Sequence, residues 1–184
     1  MGWLAGTRVM GFVGTLVLSV STAALAGGHL ASEQVKVLAP WSRALPSVAP
    51  NGAAYMTVRN VGGEDARIVE AHSPVARHVE LHRHTMEDGL AKMRKVEHGV
   101  VVPAQASVSF APGGLHIMLM GLREPLTAGM TFPLTLRFHD GGESAVVVAV
   151  LSSEDAMKRD RTGHSHGGKA MAPKHAKKHA HKAH

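Results

Sequence analysis

Between Val35 and Leu151 apolar and polar residues alternate in short runs, and no stretch there sustains a helical period. The runs have strand length and are separated by Gly, Pro and Asn. In order they are 34–43 (QVKVLAPWSR), 51–60 (NGAAYMTVRN), 65–74 (DARIVEAHSP), 76–84 (ARHVELHRH), 90–97 (LAKMRKVE), 100–103 (VVVP), 107–112 (SVSFAP), 116–122 (HIMLMGL), 131–138 (TFPLTLRF) and 143–151 (ESAVVVAVL). The first is expected to end near Pro40, with Trp41 packing at the end of the barrel. Such a succession predicts an all-β antiparallel sandwich or barrel. Its core must be mostly aliphatic, because the aromatic residues of the region are Trp41, Tyr55, Phe110, Phe132 and Phe138. Met56 and Met130 are expected to pack with them.

Two runs carry more than core and surface. VELHRH is followed by MEDG and LAKMRKV, and Asp-Gly between alternating runs is a strong hairpin signal. Val79 and Leu81 then face the core while His82 and His84 share the other face. His82 and Met93 lie symmetrically about Glu87-Asp88 and are expected opposite one another; a slip of the loop register would bring His84 there instead. In LHIMLM the same alternation sends Ile117 and Leu119 one way and His116, Met118 and Met120 the other. Met86 at the hairpin tip supplies a further thioether. The commoner meaning of such patterns is methionine filling core and histidine facing water, which is the reading for His72, His78, His98 and His139. A second His/Met pair beside the first makes a metal site an equal contender.

Imidazole and thioether donors without thiolate or carboxylate favour Cu(I). Magnesium and calcium require oxygen ligands, and structural zinc normally takes cysteine or more histidines. The chain has no cysteine, so a blue-copper centre is excluded. A site of this composition suits holding and releasing the reduced ion. No Ser-His-Asp set or carboxylate pair suggests an enzyme, and thioether-rich ligation disfavours redox turnover.

The segments WSRALP, NGAAYMTVRN, SPVARHVELH, MEDG followed by KMR, and PGGLHIMLMGL resemble the periplasmic copper chaperone family PCuAC. The resemblance covers roughly residues 35–151. It implies a cupredoxin-like Greek-key β-sandwich and a Cu(I) site at His82, Met93, His116 and Met118; the shared strand faces and the hairpin tip add His84, Met120 and Met86 as further candidates. The stretch between the two His/Met pairs is one residue longer than the family pattern, an insertion a loop absorbs at little cost. The resemblance also implies delivery to the binuclear copper (CuA) site of cytochrome c oxidase subunit II, alongside a thiol-bearing assembly protein. A copper-sequestering protein for metal tolerance is the alternative function.

The two ends read differently from the body. Residues 1–26 have a short basic start at Arg8, an apolar run from Val9 to Val20 and a small-residue Ala24-Leu25-Ala26 site, the pattern of a cleaved export signal. Periplasmic location follows, an uncleaved anchor being the alternative, and the lack of cysteine suits that compartment. Cleavage after Ala26 exposes Gly27-Gly28-His29, whose amine, amides and imidazole form a square-planar nest for Cu(II). The copper domain is expected to span 27–157.

Residues 158–184 carry eight Lys/Arg against one Asp, a net +7; with the whole chain at +6 and Arg8 supplying +1 in residues 1–26, this leaves 27–157 at −2. This Lys-, His-, Gly- and Ala-rich tail lacks the apolar residues to order itself. Its His164, His166, Met171, His175, His179, His181 and His184 make it a candidate looser Cu(II) site. A basic contact to anionic lipid or an acidic partner is the competing reading. Nucleic acid is a poor partner for an exported chain without interleaved aromatics.

Overall fold

The computed structural model describes residues 31–87 and 89–164. Its elements are α1 (Ala31–Gln34), β1 (Val35–Arg43), β2 (Asn51–Asn60), β3 (Ala66–His72), β4 (Ala76–Glu87), β5 (Leu90–Lys95), β6 (Val100–Val102), β7 (Ser107–Phe110), β8 (Leu115–Leu122), β9 (Thr131–Phe138), β10 (Glu143–Leu151) and α2 (Ser153–His164). The strands hydrogen-bond in the order β5-β4-β8-β7-β2-β1-β10-β9-β3-β6, with β8 also pairing with β2. Pairing is antiparallel except between β1 and β10 and between β7 and β8. Strands far apart in sequence lie side by side, so the connections cross between layers rather than running as a meander.

Period-two alternation decides what faces inward. In β9 the buried positions are Phe132, Leu134, Leu136 and Phe138, with Thr, Pro and Arg between them. In β2, Ala54, Met56 and Val58 are buried, as expected of Met56. Met130 is only half-buried at the core margin, where its Sδ accepts from the Thr127 amide at 3.2 Å. The core is aliphatic with three phenylalanines, and Leu81, Ile117 and Leu119 belong to it. Those three fix which face of β4 and β8 is left for chemistry.

The first strand does not stop near Pro40. It runs to Arg43 through a register shift between Leu38 and Trp41, with Ala39 at φ 50°. Proline cannot donate to a ladder, so the chain bulges there and resumes pairing. Trp41 is then buried, its ring 4.7 Å from that of Tyr55.

The domain boundary expected at 157 falls inside α2. Ser152 caps this helix, its hydroxyl accepting from the Asp155 amide at 3.1 Å and donating to the Asp155 carboxylate at 2.7 Å. Ala156 is fully buried, and Arg159 donates to the Ala39 carbonyl at 3.2 Å while its guanidinium lies 5.9 Å from the Trp41 ring centre. The export signal, the Gly27-Gly28-His29 motif and the tail from residue 165, with His166, Met171, His175, His179, His181 and His184, lie outside the described residues, as does the His164 side chain.

Candidate metal centre

β4 is the pivot of the site, paired with β5 on one side and β8 on the other. Leu81 faces Ile117 within the core, so the next residues, His82 and His116, meet directly on the outer face. The β4–β5 ladder closes at Glu87 and Leu90, with Gly89 at φ 77°. The positive φ belongs to glycine, which centres the turn one residue later than the symmetric reading about Glu87-Asp88. In consequence Met93 stands opposite His84, and His82 stands opposite Lys95. That is the slipped register of the two the sequence allowed.

Three imidazoles and two thioethers gather on this face. The His116 ring centre is 5.9 Å from that of His82 and 5.3 Å from that of His84, and His116 Nε2 lies 3.3 Å from Met93 Sδ. His84, Met93, His116 and Met118 line one depression of about 380 Å³, together with Arg43 and Tyr55. His82 is not on that wall but sits beside it, paired with His116. Met120 shares the face one pair further along, between His78 and Asn51. Met86 is 71% exposed at the hairpin tip. His72, His78, His98 and His139 are exposed, as expected for solvent-facing histidines.

The protons in this cluster can be placed by chemistry. The Gly114 carbonyl accepts from the His84 amide at 3.2 Å and faces His116 Nδ1 at 3.1 Å. A carbonyl only accepts, so Nδ1 carries the hydrogen. Burial holds the His116 pKa below the ordinary imidazole value, opposed by the Gly114 bond and aided by His84 and His82. The ring is therefore neutral, and its Nε2 lone pair faces the lone pairs of Met93 Sδ with no proton between them. Only a cation converts that juxtaposition into two favourable contacts.

The cation must be soft. The depression is walled without Asp or Glu and has Arg43 on its rim, so a hard divalent ion would find a fixed positive charge and no anionic oxygen. Among the described residues no three His, Asp or Glu side chains form a metal-binding group, so sulfur must take part. Met93 is half-exposed on the edge strand and His116 is 4% exposed, giving the cluster a rigid inner donor and an accessible outer one.

Sequence reasoning passed over Glu80 and Lys95. Glu80 lies 2.9 Å from His82 Nε2 through one oxygen and accepts from Lys95 Nζ at 3.0 Å through the other. The His82 bond, then the Lys95 bond, holds its carboxyl below the usual range, and Glu80 raises the Lys95 pKa in turn. The available signal was the period of two, which puts residue 80 on the face of 82 and 84.

The family described as "Putative lipoprotein LpqE-like" matches residues 35–150, which is β1 to β10 almost complete. A "putative lipoprotein" of Leifsonia xyli is 40% identical over 119 residues, 65% of this chain and 70% of that one. An uncharacterized protein of Rickettsia prowazekii is 31% identical over 131 residues, 70% of this chain and 72% of its own length. Among solved structures, the copper-bound PCuAC domain from PmoF2 is similar with a TM-score of 0.55 and 25% identity, covering 67% of this chain and 97% of that domain. The solution structure of the Cu(I) form of a Deinococcus radiodurans protein gives 0.52 and 32%, covering 64% and 79%. With the family model matching β1 to β10 and the copper-bound domain sharing the fold, the chain belongs to the LpqE-like family and has the cupredoxin-like fold of PCuAC domains.

Proposed function

We propose that this protein is a periplasmic Cu(I) metallochaperone that holds one ion through His82, Met93, His116 and Met118 and delivers it to the CuA site of cytochrome c oxidase subunit II. The observation that carries the reading is the pair of unprotonated donors, His116 Nε2 and Met93 Sδ, facing each other at 3.3 Å. Copper is cargo in this reading. Two imidazoles and two neutral thioethers suit a soft monovalent ion, and the absence of thiolate leaves the ion removable. Transfer is ligand exchange without change of oxidation state: partner thiolates displace the thioethers first, beginning at exposed Met93, and the imidazoles last. A thiol-free donor cannot reduce a disulfide, so a thiol-bearing assembly protein acts on the recipient beforehand.

The leader-like start of the chain and the lipoprotein name of the Leifsonia relative support export, and among the described residues no helix is long and apolar enough to cross a membrane. The His-rich tail serves as a second, looser site that collects Cu(II).

X-ray absorption on copper-loaded protein, with and without residues 165–184, separates the sites. One tail-independent Cu(I) with sulfur and nitrogen neighbours is expected, with any Cu(II) lost on truncation. Replacing Met93 and Met118 together by Leu conserves volume and should keep the fold, while Cu(I) affinity falls at least about tenfold, roughly 1.4 kcal/mol. Unchanged affinity in that double variant, or copper binding that vanishes with the tail, would overturn the assignment. Delivery is read by mixing the Cu(I) protein with reduced subunit II domain and watching the purple CuA absorption form after Cu(II) is added.

A further inference from the structure

Glu80 lies outside the proposed ligand set, yet it occupies the same strand face as His82 and stands directly opposite Met118. Both of its oxygens are engaged, one 2.9 Å from His82 Nε2 and the other 3.0 Å from Lys95 Nζ. An ionised carboxylate accepts and never donates, so the ring nitrogen facing it carries the hydrogen. In the uncharged form of the ring, the form that can ligate a metal, the lone pair is then at Nδ1. That atom is buried and has no hydrogen-bond partner, although buried polar atoms are rarely left alone. An unpartnered buried lone pair beside His116 is what a metal ligand looks like before its ion arrives.

We infer that Glu80, clamped by Lys95, is a positioning residue that fixes His82 in the Nε2–H form and offers Nδ1 to the ion. The Gly114 carbonyl does the reverse at His116, which offers Nε2. The two rings, paired across β4 and β8, thus meet one ion through different nitrogens. This deepens the copper reading above by naming the nitrogen each ring presents and what holds it. Carboxylate partners of this kind orient ligating histidines and raise their basicity.

The test reads the proton itself. Long-range proton–nitrogen correlation spectra of metal-free wild type, Glu80→Gln and Glu80→Ala report the His82 tautomer, and competition with a Cu(I) chelator reports affinity. Wild type should show His82 protonated at Nε2. Glu80→Gln, whose amide oxygen still accepts, should keep that form and most of the affinity. Glu80→Ala should give mixed tautomers and bind Cu(I) about 10- to 100-fold more weakly. A wild-type ring protonated at Nδ1 overturns the inference, and this spectrum decides even if Glu80→Ala fails to fold. So does weakened binding in both variants with the tautomer unchanged, which would make Glu80 an oxygen ligand. Because the tautomer is measured without metal, its outcome stands apart from whether the protein binds copper at all.

Discussion

Among the described residues the buried polar side chains are Ser42, Asn60, Ser73 and His116. Three of them are consumed by the backbone. Ser42 donates to Ala53, Ser73 donates to Pro133 and accepts from Val75, and Asn60 spans Glu64, Val102 and Gly62. His116 uses one ring nitrogen on the Gly114 carbonyl and turns the other, Nε2, to Met93 Sδ at 3.3 Å, which is why its burial points to a ligand and not to architecture alone. Asp140 shows the opposite use of a polar group. Its carboxylate accepts from the amides of Ala31 and Gly142, and these bonds, Ala31 first, hold its pKa below the usual carboxylate value. A lowered folded-state pKa contributes stability above the unfolded value, about 3.9, and that contribution is lost as pH falls through the folded value. Asp140→Asn should therefore unfold at lower urea than wild type at pH 7, with the difference narrowing as pH falls below about 3.9 and closing below the folded-state value. An equal gap at both ends of that range would show that the charge plays no part.

The β4–β5 hairpin is the element on which the accessible half of the site depends. β5 is an edge strand, protected by Lys92, Arg94 and Lys95 in place of a further neighbour. It delivers Met93 only because the turn fixes the register, and Gly89 at φ 77° fixes the turn. A Cβ at Gly89 would meet nothing within 4 Å, so Gly89→Ala costs backbone strain alone, about 1 kcal/mol. Urea denaturation should show that loss. Cu(I) affinity should fall as well, because a turn that avoids the left-handed position shifts Met93 along β4 by one residue and turns it to the opposite face. Full affinity in this variant would mean that Met93 is not held by the register.

At the scale of the whole molecule, α2 closes the body beyond the strands that the family match covers. Removing residues 153–164 uncovers Ala156's site and takes Arg159 from the face of Trp41, a cation–π contact of about 1 kcal/mol. A chain ending at Ser152 should melt roughly 2–4 °C below one ending at His164, while Cu(I) affinity stays the same because β4, β5 and β8 are untouched. Much of this molecule was legible in its sequence. Alternation alone placed Leu81, Ile117 and Leu119 inward and put His82, His84, His116 and Met118 outward, because side chains on a strand alternate whatever the strand pairs with. The Asp-Gly turn was announced in the same local way, whereas the helix over Ser153–His164 was not read from the sequence. What local pattern could not decide was anything set by a partner strand. The pairing of His82 with His116, the approach of Met93 to His116 Nε2, and the two hydrogen bonds that aim those imidazoles depend on β4 lying between β5 and β8, and that neighbourhood is chosen by burial of the core as a whole.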